Sequence, residues 1–131
     1  VDSQSGSKEI SLRSLIDIYE REKDWTKAIQ MAQQLQSTTG VHMGRHIAHY
    51  YCECAEISLS CHQEDRATRE LKLALTHDRM CVRASLILGD LAFSQLRYDQ
   101  ALQYYKKIQH QDSDFLCDAI TRIKPCYEAL G

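Results

Sequence analysis

A repeated alanine constrains the fold of this 131-residue chain more than any other feature. Three stretches align with one another: KDWTKAIQMAQQL (23–35), HQEDRATRELKLAL (62–75) and LRYDQALQYYKKI (96–108). Each carries an alanine at the same point, and the separations are 67 − 28 = 39 and 101 − 67 = 34 residues. An internal period of roughly 20–50 residues indicates an array of stacked structural units.

Helical spacing is present ahead of each alanine. In each unit four residues are spaced by 3, 1 and 3 positions, which places them on one face of a helix. These stripes are Leu12, Leu15, Ile16 and Tyr19 in the first unit, Tyr51, Cys54, Ala55 and Ser58 in the second, and Ser85, Leu88, Gly89 and Ala92 in the third. Each unit is therefore predicted to be two antiparallel helices that approach closely at the alanine. A period of about 34 residues is typical of the tetratricopeptide repeat. The five extra residues of the first gap fit a loop or a longer helix start within STTGVHMGR (37–45).

We therefore predict an all-α fold, a right-handed tetratricopeptide-repeat superhelix of antiparallel helix pairs with about seven helices. The helices are expected over about 8–22, 25–37, 44–61, 63–77, 79–95, 97–110 and 113–130. The predicted units are 9–42, 43–81, 82–115 and a half unit 116–131. In the half unit, Ile120, Ile123, Tyr127 and Gly131 continue the stripe, and Pro125 is expected to kink or distort the helix. Residues 1–8, VDSQSGSK, predict a disordered or non-native leader, and the chain is expected to be a segment of a longer protein.

Composition excludes several classes of function. The 16 basic and 18 acidic residues give a net charge of −2, without the basic excess of nucleic-acid-binding proteins. No apolar run reaches the roughly 18 residues of a membrane span, and no signal peptide is recognisable. Glycine-rich phosphate loops and nucleophile-elbow serines are also missing from the sequence. We predict that the chain is not an enzyme.

The stretch RHIAHYYCECAEISLSCH (45–62) is rich in residues used for metal and thiol chemistry. Cys52 and Cys54 lie about 160° apart around a helix, so Cys54 is expected in the core and Cys52 on the concave wall. His46, His49 and Glu53 could meet at one metal as two histidines and a carboxylate. A solvated or partner-facing polar wall is favoured, because no supporting second layer is recognisable. The cysteines are expected to be reduced, and no cofactor is predicted in this segment.

The concave face of such an array is predicted to bind protein partners. In this register it is lined by first-helix positions: Arg13, Asp17, Glu20, Arg21, His49, Cys52, Glu56, Arg83, Leu86, Asp90 and Phe93. The alternative is a generic peptide-binding adaptor of the chaperone or assembly-factor kind. Such adaptors clamp a carboxylate with basic and amide side chains, whereas this wall mixes both signs of charge.

Two stretches, IAHYYCECA (47–55) and EDRATRELKLALTHDRMCVRASLILGDLAFSQLRYDQAL (64–102), resemble the lipopolysaccharide assembly protein B family of tetratricopeptide-repeat proteins. LIDIYEREKDWTKAIQMAQQL (15–35) and CYEALG (126–131) match in the same order, so the resemblance covers about residues 10–131.

The resemblance implies a non-enzymatic scaffold of Gram-negative bacteria. Members of the family have an N-terminal membrane helix, repeats on the cytoplasmic face of the inner membrane and a C-terminal four-cysteine metal module. They limit lipopolysaccharide synthesis by delivering the lipid A pathway deacetylase to a membrane AAA protease. The deacetylase and the protease are the implied partners, and a homodimer of this chain is a further possibility that the sequence does not decide. The six cysteines contain no CxxC pair, so the metal module is not expected here.

Overall fold

The computed structural model describes the backbone of residues 3–131 and the side chains from residue 6 onward. Helices occupy most of this part of the chain, and no strand occurs in it. The helices are α1 (Ser3–Glu22), α2 (Trp25–Thr39), α3 (Gly44–Ser60), α4 (Glu64–His77), α5 (Val82–Ser94), α6 (Tyr98–Gln111) and α7 (Leu116–Leu130), with a 3₁₀ turn at Ser113–Phe115.

The start of α1 differs from the prediction. The helix predicted from about residue 8 begins at Ser3, and residues 1 and 2 lie outside the described residues. Across the described helices, none combines the length and the apolar character that crossing a membrane requires.

Three helix pairs, α1/α2, α3/α4 and α5/α6, follow one another, and α7 packs on α6. The three register alanines, Ala28, Ala67 and Ala101, have no exposed surface. A methyl side chain at these points lets the two helices of a pair approach closely, and any larger group would force them apart. The repeat register predicted from the sequence is therefore confirmed for the three pairs.

The five extra residues of the first gap lie almost wholly in α3. This helix has 17 residues where the equivalent α5 has 13, and α2 runs one residue further past its alanine than α4 does. The longer start of α3 crosses the end of α4 at Gly44. A Cβ atom there would lie 2.4 Å from the carbonyl oxygen of His77, so the crossing requires glycine.

The core is a row of three clusters, each shared between neighbouring repeats. The first joins α1 and α2 to α3, the second joins α3 and α4 to α5, and the third joins α5 and α6 to α7. Tyr51 packs against both the first and the second cluster. Since no pair closes its own core, stability depends on stacking, as expected for a solenoid.

The half unit α7 corrects the predicted stripe. Ile120 and Tyr127 are 53% and 51% exposed, whereas Ala119 and Cys126 are fully buried and Ile123 packs against the third cluster. The true register lies 34 residues after that of α5, because 85 + 34 = 119 and 92 + 34 = 126. Small residues are needed where α7 approaches α6, and choosing the bulkier neighbours was wrong. Pro125 lies within α7 and does not end the helix.

Candidate partner-binding groove on the first helices

Polar side chains connect the first helices of successive repeats. Between α1 and α3, the hydroxyl of Tyr50 donates a hydrogen bond to Glu20. Between α3 and α5, Arg83 reaches back to acidic side chains of α3. Between α5 and α7, Arg122 Nε donates to Asp90 Oδ1 at 3.0 Å. We call the face of α1, α3, α5 and α7 that carries these contacts the groove, since first helices line the concave surface of this fold.

Arg83 lies at the centre of the groove and holds two carboxylates. Its Nη2 lies 3.0 Å from Glu53 Oε1 and 2.6 Å from Glu56 Oε2, while its Nη1 lies 3.3 Å from Nδ1 of His49. Partial burial alone would lower the pKa of Arg83, but the hydrogen bond with Glu53 and the charges of both glutamates outweigh burial and raise it. Two carboxylates against one guanidinium leave a local excess of negative charge.

At the N-terminal end of the groove, the predicted residues form exposed ion pairs within α1. Arg13 Nε lies 3.1 Å from Glu9 Oε1, and Arg21 Nη2 lies 3.1 Å from Asp17 Oδ2. Exposed pairs of this kind contribute only about 0–1 kcal/mol, because water screens them. These charges can exchange their present partners for those of a bound protein at little cost. Glu20 differs, because it is held by the buried Tyr50.

The C-terminal end of the groove is more tightly packed. Asp90 Oδ1 accepts hydrogen bonds from the hydroxyl of Tyr105 at 2.6 Å and from Arg122. Burial and this hydrogen bond both raise the pKa of Tyr105, so its hydroxyl stays protonated. Leu86 and Phe93 are half-buried and pack against the third core cluster. This end offers apolar surface, and Asp90 stabilises the packing of α5, α6 and α7.

Cys52 does not line the groove, contrary to the prediction. It has no exposed surface, and its Sγ lies 3.8 Å from Sγ of Cys81 at the start of α5. Cys54 is partly exposed, and burial raises its pKa to about 11. The helical angle between the two cysteines was correct. The prediction failed because the turn before α5 covers the face of α3 that carries Cys52.

Some residues of the groove were missed or given another role. Glu53, which the sequence places with His46 and His49 on a polar wall or at a metal, pairs with Arg83. His49 lies edge-on to the indole of Trp25, with 6.0 Å between ring centroids. Among the residues whose structure is described, no three His, Cys, Asp or Glu side chains are placed to hold a metal ion. The repeat spacing could have found part of this set, because His49 and Arg83 are 83 − 49 = 34 residues apart.

The sequence is similar to curated proteins named lipopolysaccharide assembly protein B. The Escherichia coli K12 protein is 28% identical over 121 residues, which is 92% of this chain. The Haemophilus influenzae protein is 32% identical over 123 residues, or 94% of this chain. The chain spans only 31% of the length of these relatives. No family model matches it.

Solved structures of low sequence identity share the fold. MamA superposes with a TM-score of 0.60 at 16% identity, covering 96% of this chain and 84% of MamA. The TPR2B domain of yeast Sti1, solved in complex with pHsp70, gives 0.57 at 15% identity and covers 93% and 98% of the two chains. The Arabidopsis OM64 TPR domain gives 0.57 at 19%, with 95% and 98% covered. The chain thus has the tetratricopeptide-repeat fold and resembles lipopolysaccharide assembly protein B over most of its own length.

Proposed function

We propose that this chain is the partner-binding segment of a regulator of lipopolysaccharide biosynthesis, in which the groove helps to present the lipid A pathway deacetylase to a membrane AAA protease. The relatives' name supports the pathway, and the fold supports protein binding. The observation that carries the proposal is the Arg83–Glu53–Glu56 cluster. It fixes charge across two successive repeats, where one partner can contact both.

The two ends of the groove would contribute different kinds of contact to a bound partner. The exposed charges of α1 and the acidic excess near Glu56 would orient a partner and raise its association rate. The half-buried Leu86 and Phe93 would supply apolar contact area. We propose that binding needs no metal or cofactor. Other parts of the longer protein would hold the segment at the cytoplasmic face of the inner membrane.

The test requires a change that removes groove charge without disturbing the fold. Reversing Arg83 and Asp90 together is unsuitable, because both tie first helices to their neighbours. The double change Arg13→Gln with Glu56→Gln leaves the net charge unaltered. Arg13 loses only an exposed pair, and Glu53 still holds Arg83 after Glu56 is neutralised.

A matched control lies on α4, outside the groove. Asp65→Asn with Arg69→Gln also preserves net charge, and both residues are exposed. In the full-length protein, we expect the groove variant to reduce capture of the deacetylase or the protease at least fivefold and to lengthen the deacetylase half-life, while the control behaves as wild type. Normal capture by a groove variant with an unchanged melting temperature would refute the proposal. If the groove variant instead stops binding a chaperone-type peptide while the deacetylase is degraded at the normal rate, the chain is a generic peptide-binding adaptor.

A further inference from the structure

Cys52 and Cys81 form a facing pair between the second and third repeats. Their Sγ atoms are 3.8 Å apart, so the bond length of a disulfide, about 2.05 Å, requires an approach of about 1.7 Å. Cys52 is fully buried on α3, whereas Cys81 is partly exposed. All six cysteines are free thiols.

The backbone at Cys81 can supply this movement. Cys81 lies in the turn between α4 and α5 and precedes the first residue of α5 with extended dihedrals, φ −75° and ψ 94°. Its carbonyl oxygen accepts only long hydrogen bonds, at 3.3 Å from the amide of Ser85 and 3.5 Å from Nε2 of Gln111. The Cys81 amide also donates to the carbonyl oxygen of Asp78 at 3.2 Å. Closing the gap therefore strains a turn and three long hydrogen bonds, and it leaves α3 and the body of α5 intact.

The two sulfurs have different chemical character. The sulfur of Cys81 shares a hydrogen bond with the sulfur of Cys52 and accepts another from the backbone amide of Ala84 in the first turn of α5. These contacts lower the pKa of Cys81 to about 7 despite partial burial. The same sulfur contact and burial raise the pKa of Cys52. Peroxide can reach the partly exposed Cys81 at the N-terminus of α5 but not the buried Cys52. Cys81 would therefore be the attacking residue, and Cys52 the thiol that resolves the product.

We propose that Cys52 and Cys81 are a dithiol site that a peroxide oxidises to a disulfide, which covalently ties α3 to α5. The thiolate of Cys81 attacks one peroxide oxygen; the O–O bond breaks, hydroxide leaves and a sulfenic acid forms. The sulfur of Cys52 then attacks the sulfenic sulfur, the S–O bond breaks and water leaves. Overall, two thiols and one hydrogen peroxide give one disulfide and two waters.

The disulfide would close a loop that contains the whole of α4. It would fix the second repeat against the third, two residues from Arg83 at the centre of the groove. A cross-link that spans 29 positions restricts the unfolded chain, and the folded form should melt on the order of 10 °C higher. The dithiol site stands on its own geometry and does not require the proposed function.

The experiment treats the purified chain with increasing hydrogen peroxide, alkylates the remaining thiols and maps the peptides without reduction. Endoproteinase Glu-C cleaves at Glu53 between Cys52 and Cys54, and trypsin cleaves at Arg83 and Arg122 to separate Cys81, Cys117 and Cys126 from one another. We expect a single intramolecular Cys52–Cys81 link, a higher melting temperature and reversal of both by dithiothreitol.

Matched variants make the result decisive. Cys54→Ser should retain the link. Cys52→Ser should lose the link and leave a sulfenic acid on Cys81 that dimedone traps. Cys81→Ser should also prevent the link, and it replaces Cys52→Ser as the test if that variant folds poorly. The proposal is overturned if peroxide joins other cysteines or separate chains. It is equally overturned if wild-type Cys81 stops at the sulfenic acid, or if both residues stay reduced after the exposed Cys61 and Cys117 have been oxidised.

Discussion

Replacing Gly89 with alanine should destabilise the third helix pair. A Cβ atom at this position would lie 2.3 Å from Cε1 and 2.7 Å from Cδ1 of Tyr105. The Tyr105 ring is 2% exposed, and its hydroxyl is tied to Asp90, so it cannot move aside freely. Overpacking of this kind costs about 1–3 kcal/mol. Weakening the hydrogen bond to a carboxylate adds about 1.5–3 kcal/mol, and the better helix propensity of alanine returns about 1 kcal/mol.

The expected net loss of unfolding free energy for Gly89→Ala is about 3 kcal/mol, which lowers the melting temperature of a chain of this size by about 10 °C. Thermal unfolding followed by circular dichroism measures it. Gly6→Ala is the control, because no atom lies within 4 Å of the new methyl group and α1 should be unaffected or slightly more stable. Combining Gly89→Ala with Tyr105→Leu should cost less than the two single changes added together, since leucine lacks the ring atoms that clash. A melting temperature of Gly89→Ala at or above that of wild type would show that the packing of α5 on α6 is misassigned.

Three further substitutions or labelling experiments test other parts of the fold. Trp25→Ala should lower the free energy of unfolding by about 2–4 kcal/mol, because the indole stacks on Tyr50 with 5.9 Å between ring centroids. Trp25→Phe should recover part of this loss, and an unchanged melting curve for Trp25→Ala would contradict the packing. Ser85→Ala should raise stability by about 1 kcal/mol, since the buried hydroxyl has no hydrogen-bond partner, and a lower melting temperature would show that it has one. Alkylation of Cys81 should accelerate as pH rises through about 7, whereas Cys54 should respond only towards pH 11; identical pH profiles would refute the different environments.

The helix pairs were predictable because their determinants are local. The alanine at each close approach and the 3, 1, 3 stripe before it describe how two adjacent helices meet, and both are properties of residues near one another in the chain. The same local reasoning failed in α7, because it selects the bulkier Ile120 and Tyr127 as core residues, whereas Ala119 and Cys126 are the buried ones. Close approach to α6 selects small side chains, and hydrophobicity alone does not reveal that demand.

The contacts across the groove were harder to predict, because they join residues about 30 positions apart. A helical wheel gives the direction of Cys52 on α3, but it does not show that the turn before α5 covers that direction. The pairing of Asp90 with Arg122 likewise depends on how α7 is placed beside α5. Some of the charged residues that were predicted to face a partner therefore form ion pairs between the first helices of successive repeats and stabilise the stacking of the repeats.

The most direct test of the groove is to map where a partner contacts it. A photo-crosslinking amino acid is placed at position 56 in the groove or at position 65 on α4, in the full-length protein in cells. We expect position 56 to capture the deacetylase or the AAA protease and position 65 to capture neither, provided that both variants fold and accumulate equally. Capture of these proteins from position 65 with none from position 56 would contradict the assignment of the groove as the partner-binding surface.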